Sequence, residues 1–288
     1  MALTVERLTP TIGALVSGID LRKPLSETEV ATIQRLLLEN HVLFFRDQPF
    51  EPEEQVAFVR HFGAIDIHPF GRHLAEIPEV GLIDQTEPER DGANRWHADQ
   101  TFMEKPPFGA VLCAKRLPSE GSDTCWASMI AAFERLSPAL QKTLDGLTAT
   151  HDVSGPLIRA VEAGQSIAGL EEIRAAWPLV QHPVVCRLPE TGQKFLYVNS
   201  NFTTRINELS EAESEAMLHF LFEWVRTPEL QLRFRWEEGS VAMWDNRCTQ
   251  HYAVADYHER RTMHRVSIAG TWAPSAGSHS HEESSFFE

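Results

Sequence analysis

"NRWHADQTF" (residues 94–102) sets a histidine and an aspartate one residue apart, His97 and Asp99, behind Trp96 and before a Thr-Phe pair. In an extended segment alternate side chains share a face, so this imidazole and this carboxylate would project to one side and could reach one metal ion. A surface ion pair has the same spacing, so a metal site needs a third donor from elsewhere in the chain. The best candidate is His251 in "WDNRCTQHYAVADY" (residues 244–257), at the start of a strand-like run after a turn.

Around these residues the chain reads as one mixed domain. It has 288 residues, 42% of them hydrophobic, enough for one large packed core or two small ones. "SETEVATIQRLLLEN" opens on a capping-box pair, Ser26 and Glu29, and continues with helical spacing; "SEAESEAMLHFLFEWV" repeats the device with Ser210 and Glu213. "PEEQVAFVRHFG" reads as a helix closed by Gly63, and "SMIAAFERLS" and "SPALQKTLDG" as two short ones. "HVLFFRDQ", "FGAVLCAKRLP", "HPVVCRL", "KFLYVN", "LQLRFRW", "GSVAMWDN", "TQHYAVADY" and "TMHRVSIAGTW" are strand-like, and residues 3–21 suggest two short strands with a turn. Residues 65–95 are turn-rich and read as a loop region. Residues 152–180 are irregular, the pattern of a lid or binding loop. No repeat or linker divides the chain, so an α+β fold around a β-barrel or jelly roll is expected over residues 1–274, with a mobile polar tail at 275–288.

Composition narrows the partners. Twenty-six basic residues against 41 acidic ones give a formal charge of −15, with no basic cluster, which argues against nucleic acid and anionic membranes. An anionic ligand would need locally concentrated positive charge. The four cysteines, Cys113, Cys125, Cys186 and Cys248, form no CxxC pair and fit reduced thiols. With no secretory signal pattern and no apolar run of membrane-spanning length, a cytoplasmic location is expected.

Two histidines and one carboxylate leave open positions on a metal, the facial arrangement of non-haem Fe(II) oxygenases. "WHADQTF", "GSDTCW" (121–126), "WDNRCTQHYAVADY" and "RRTMHR" (260–265), in that order, resemble the taurine dioxygenase family. The likeness extends to "GALVSGIDL", "VLFFRDQ", "HPVV" and "TTRI", nearly the whole chain. The resemblance implies a double-stranded β-helix (jelly-roll) core with flanking helices, Fe(II) as cofactor, and α-ketoglutarate and O2 as cosubstrates. It implies His97, Asp99 and His251 as iron ligands and Thr124 and Arg261 as the holders of the far carboxylate of α-ketoglutarate. It implies Arg265 and His68 at the anionic head of the prime substrate. A dicarboxylate that chelates iron by its keto-acid end needs such a charge-assisted partner at its other end.

The implied reaction couples decarboxylation of α-ketoglutarate, giving succinate and CO2, to hydroxylation of a substrate C–H bond. For taurine or a related sulfonate, hydroxylation beside the sulfonate releases sulfite. The amine end of the taurine pattern is altered: Ala93 stands where that pattern has asparagine, Gly71 where it has tyrosine, and "HDVSGPLI" (151–158) replaces a Lys-Ser-Phe stretch. Such losses in a buried site change substrate preference, so an alkyl sulfate or a phenoxy acid is the alternative. Two readings of other classes compete. A divalent-metal hydrolase would use the same three donors but would not respond to α-ketoglutarate. A non-catalytic ligand-binding barrel would turn over nothing. Association into a dimer or tetramer is left open.

Overall fold

The computed structural model describes residues 3–69, 71–88, 93–156, 158 and 170–277. The expected tail from 278 onward, and most of 157–169 within the expected lid, lie outside the described residues.

Two short strands, β1 (Thr4–Arg7) and β2 (Ala14–Ser17), lead into helix α1 (Glu27–Asn40), strand β3 (Val42–Phe45) and helix α2 (Pro52–Arg60). The Ser26–Glu29 capping box forms at the start of α1 as its sequence requires: Ser26 Oγ accepts from the Glu29 amide at 3.3 Å, and the Ser26 amide donates to Glu29 Oε2 at 2.8 Å. Strands β4 (Ile65–Asp66), β5 (Gly81–Gln85), β6 (Gly109–Arg116) and β7 (Thr124–Ser128) follow, then helices α3 (Met129–Glu134) and α4 (Pro138–Leu144). The turn-rich reading of 65–95 therefore needs correction: two stretches within it are strands, and both pair with the last strand of the chain.

Beyond them come β8 (Thr148–His151), helix α5 (Leu170–Ala176), β9 (Val180–Pro183), β10 (Val185–Arg187), β11 (Lys194–Leu196), β12 (Thr203–Ile206) and helix α6 (Glu211–Trp224). The final strands are β13 (Gln231–Phe234), β14 (Val241–Asp245), β15 (Thr249–Ala253) and β16 (Arg261–Ile268). The largest sheet among the described residues has eight strands, β1-β2-β3-β14-β6-β16-β4, with β5 also on β16. A second sheet, β13-β7-β15, holds the strand that carries His251.

Alternation along the central strands assigns their two faces. Phe44, Leu112, Ala242, Trp244 and Met263 join Trp126 of β7 and Phe234 of β13 in one buried cluster between the sheets. Their neighbours Leu43, Phe45, Val111, Met243 and Val266 pack on the other side with Ile33 and Leu37 of α1 and Val56 and Val59 of α2. Both faces are covered, which is why these strands read as unbroken apolar runs rather than as alternating ones. The close approach of β6 to β14 also fixes one residue type: a Cβ at Gly109 would run into the Trp244 carbonyl oxygen. Among the described residues, no helix is long and apolar enough to cross a membrane.

Candidate metal centre

His97 reaches the site through an isolated bridge and not through a strand. Its amide donates to the His251 carbonyl at 3.1 Å, and the His251 amide donates back at 2.8 Å. Directly opposed residues of an antiparallel pair send their side chains to one face, and the two imidazole centroids lie 4.1 Å apart. His97 and Asp99 project to the same side, as expected, and the chain then turns over residues 99–103, with Gln100 at φ 51. Asp99 Oδ1 lies 3.7 Å from His97 Nε2 and 3.7 Å from His251 Nε2, and one donor atom of each residue lies within 4.8 Å of the others.

The protonation states suit a divalent cation. His97 Nδ1 lies 2.7 Å from the Arg95 carbonyl, which assigns the proton to Nδ1 and leaves the Nε2 lone pair for a metal. Burial lowers both imidazole pKa values, that of His251 to about 3, so both rings are neutral at pH 7. Burial alone would raise the Asp99 carboxyl, but Arg265, His251 and His97 around it hold it well below the ordinary carboxylate range. Neutral imidazoles and an ionised carboxylate are the forms that bind metal. All three residues are buried, so a ligated ion would sit in a largely water-excluded site.

Of the predicted binding residues, Arg265 and His68 lie in the electrostatic neighbourhood of Asp99. Arg261, Met263 and Arg265 share one face of β16, the face that Met263 turns into the space between the sheets. At the rise of a strand, the two arginines stand about 13 Å apart along it. Arg265 Nη2 lies 2.7 Å from Asp99 Oδ2 without the alignment of a hydrogen bond, and its Nε has no hydrogen-bond partner. Its guanidinium also lies 5.5 Å from the Trp244 ring centroid. Gly81 is the residue opposite Arg265 on β5, so no side chain from that position occupies the arginine's flank. His68 is in the same electrostatic neighbourhood: burial, then the Arg265 charge, lowers its pKa to about 4.

Arg261 is buried, its Nε has no hydrogen-bond partner, and burial lowers its pKa. A desolvated guanidinium with an unused donor is a receptor for a carboxylate. Thr124, also buried, stands opposite Ala253 on β15, one same-face step from Trp126, the partner of His251. Its Oγ1 accepts from Trp236 Nε1 at 2.9 Å, which leaves the hydroxyl hydrogen free to donate. Thr124 and Arg261 therefore lie on strands of the two different sheets.

Sequence reading missed the residues that hold this turn. Asn246 bonds the Asp99 backbone, and Gln100 Nε2 donates to Asp66 Oδ2 at 3.0 Å, tying the turn to the segment that leads to His68. Behind the turn, Thr101 Oγ1 lies 2.9 Å from both His151 Nδ1 and Asn199 Nδ2. His182 Nε2 lies 3.0 Å from the Thr101 carbonyl. An Asn or Thr near a metal motif has no periodicity to mark it; only the fold brings these partners together.

Buried histidines give the fold a pH dependence. Burial is the leading cause of the lowered pKa values of His41, His151 and His182, as it is for the site histidines. The folded form then binds fewer protons than the unfolded chain, so stability is full above about pH 6.5 and falls with acidification toward the folded pKa values. Each such site costs about 1.4 kcal/mol per pH unit in that window. Calorimetry of the metal-free protein is expected to give a Tm more than about 10 °C lower at pH 5.5 than at pH 7.5. An unchanged Tm would mean that these imidazoles are charged in the fold.

A mixed helix-and-sheet fold that gathers two neutral histidines and an ionised aspartate in a buried cluster, with Arg265 against the carboxylate, has the donor set of the non-haem Fe(II) oxygenases. Residues 4–267 match the family described as "Taurine catabolism dioxygenase TauD, TfdA family", and the chain belongs to that family. It is 36% identical to an alkylsulfatase of Acinetobacter baylyi over 93% of this chain and 85% of that protein. It is 33% identical to an α-ketoglutarate-dependent sulfate ester dioxygenase of Pseudomonas putida, over 94% of this chain and 90% of that one. The crystal structure of a taurine dioxygenase from Burkholderia xenovorans superposes with a TM-score of 0.80 at 34% identity, covering 94% of this chain and 92% of that one. The enzyme is thus an Fe(II)- and α-ketoglutarate-dependent dioxygenase, and the hydrolase and non-catalytic readings give way.

Proposed function

We propose that the enzyme hydroxylates the C–H bond next to the anionic group of a small organic sulfonate, with Fe(II) held by His97, Asp99 and His251. The observation that carries this reading is Arg265: a mostly buried guanidinium against a metal-site carboxylate, with an unused Nε donor. In a chain of formal charge −15, this is where positive charge is concentrated beside the reacting centre. Arg265 and His68 would hold the anion, while Thr124 and Arg261 hold the far carboxylate of α-ketoglutarate. The bound metal, with α-ketoglutarate and O2, supplies the oxidising equivalents. The protein's part is to place the C–H bond and to keep water away, for which the buried Trp126 and Trp244 between the sheets serve. Hydroxylation of a sulfonate's own carbon gives an unstable hydroxysulfonate that breaks to an aldehyde and sulfite, with succinate and CO2 as coproducts.

An alkyl sulfate ester is the second reading, and a specific packing observation favours it. Phe102 of the Asp99 turn forms a separate apolar cluster with Val153, Ile173 and Phe202, with Trp177 packed on it. A wall of that kind beside the site suits a hydrocarbon arm better than the amine of taurine, in keeping with Ala93 and Gly71. On the same reading the two main sheets close as a jelly roll, residues 1–274 form a single catalytic domain, and the enzyme works in the cytoplasm.

The test is succinate formation by Fe(II)-loaded enzyme with taurine, alkyl sulfonates, alkyl sulfates and phenoxyacetates, with sulfite and sulfate assayed alongside. Sulfite from a sulfonate is the expected result. Sulfate release from alkyl sulfates with no turnover of sulfonates would replace it with the second reading, and turnover of phenoxyacetates alone would overturn both.

A further inference from the structure

We propose that the Asn246 carboxamide is a positioning residue for the metal, acting through the backbone of Asp99. This rests on the reading of Asp99 as a metal ligand. The two histidines are fixed to each other by their own backbone bridge, but the carboxylate is not part of that bridge. It stands in a turn whose next residue, Gln100, is a non-glycine in the left-handed region, a conformation that persists only when the surroundings enforce it. Asn246 supplies that enforcement. Its Oδ1 accepts from the Asp99 amide at 2.7 Å and its Nδ2 donates to the Asp99 carbonyl at 3.0 Å. The same Nδ2 donates to the Pro107 carbonyl at 3.1 Å, where the chain approaches β6. One side chain thus satisfies both backbone groups of the ligand residue, as a neighbouring strand would, and ties them to the central sheet.

Asn246 is itself held rigidly. Its amide donates to the Phe108 carbonyl at 2.9 Å. On one side Asp245 is fully buried; on the other Arg247 reaches back to Asp245 Oδ2 at 2.7 Å and out to Glu190 Oε1 at 2.8 Å. Burial of Arg247 is outweighed by these two carboxylates, which raise its pKa. A buried ion cluster of this kind specifies geometry more than it adds stability. The same turn leads directly into β15 and His251. One turn therefore sets both the aspartate, through Asn246, and the second histidine, through the strand. Groups behind a metal ligand typically change metal affinity by about 10- to 100-fold.

The experiment uses the full chain, stripped of metal, and reads Mn(II) binding by the EPR signal of free Mn(II), together with the visible spectrum of the Co(II) form. Asn246→Ala is expected to weaken Mn(II) binding at least tenfold and to shift the Co(II) bands. Leu144→Ala, a buried change under α4 away from the site, is the stability control: it is expected to lower Tm while keeping the wild-type Mn(II) constant within twofold. Asn246→Leu, which keeps the branched shape without the hydrogen bonds, is read in the same way if the alanine chain does not fold. Asp99→Asn separates the two hypotheses. If it loses Mn(II) while the Asn246 variant binds within twofold of wild type, the positioning role is wrong. If Asp99→Asn also binds like wild type, the metal assignment itself fails.

Discussion

Turnover of α-ketoglutarate is expected to fall at least about 1,000-fold when His97 is replaced by alanine or Asp99 by asparagine. Loss of a ligand should exceed the roughly 10- to 100-fold loss seen when only a group behind a ligand is removed. The reason lies in how the site is assembled. Three donor atoms within 4.8 Å of one another can share an ion only if all three stay in place, and no fourth His, Cys, Asp or Glu joins the group among the described residues. His97→Ala is the cleaner variant, because the backbone bridge to His251 needs no side chain at position 97. Asp99→Asn keeps the shape but removes the charge that balances Arg265, so its stability should be measured with its activity. Succinate formation with Fe(II) in excess is the assay. Wild-type turnover by either variant would remove that residue from the metal.

Arg261→Ala is expected to raise the α-ketoglutarate concentration needed for half-maximal rate by about 100-fold, the scale of removing one partner from a desolvated charge pair. The KM of the prime substrate should change only a few-fold. Arg265→Ala should do the reverse. Both arginines lie on the same face of β16 about 13 Å apart, and Arg265 is the one against the metal-site carboxylate. Steady-state kinetics with each substrate varied in turn decides the matter. Equal effects of both variants on both substrates would show that the two arginines bind one shared anion.

Much of this site is legible in the sequence because its donors are chemically rare in such patterns. His97 with Asp99, and His251 after a turn, mark themselves by residue type, and the strand that carries Arg261 and Arg265 is legible from Thr262 onward. The way the donors meet was not legible. His97 pairs with His251 by a single bridge, the chain turns from Asp99 onward, and Asn246, 147 positions away, captures the Asp99 backbone. β4 and β5 were equally hidden: two-residue and half-buried strands in turn-rich sequence acquire their identity from β16 and not from their own composition. His151 and His182 looked like ordinary histidines, and only burial makes them part of the support behind the turn.

The common face of Arg261 and Arg265 makes β16 a ruler. It is paired on both edges, by β6 from Thr262 onward with one register shift between Thr262 and Met263, and by β5 and β4 on the other side, where β5 pairs in unbroken register from Arg261 to Arg265. A slip of one residue would turn both arginines together toward the helices. The strand thus has no half-measure: on the roles proposed for them, the two anion sites stand or fall as a pair. On the same proposal, new substrates are more accessible through the loops around positions 71 and 93, where a side chain can change without moving the ruler.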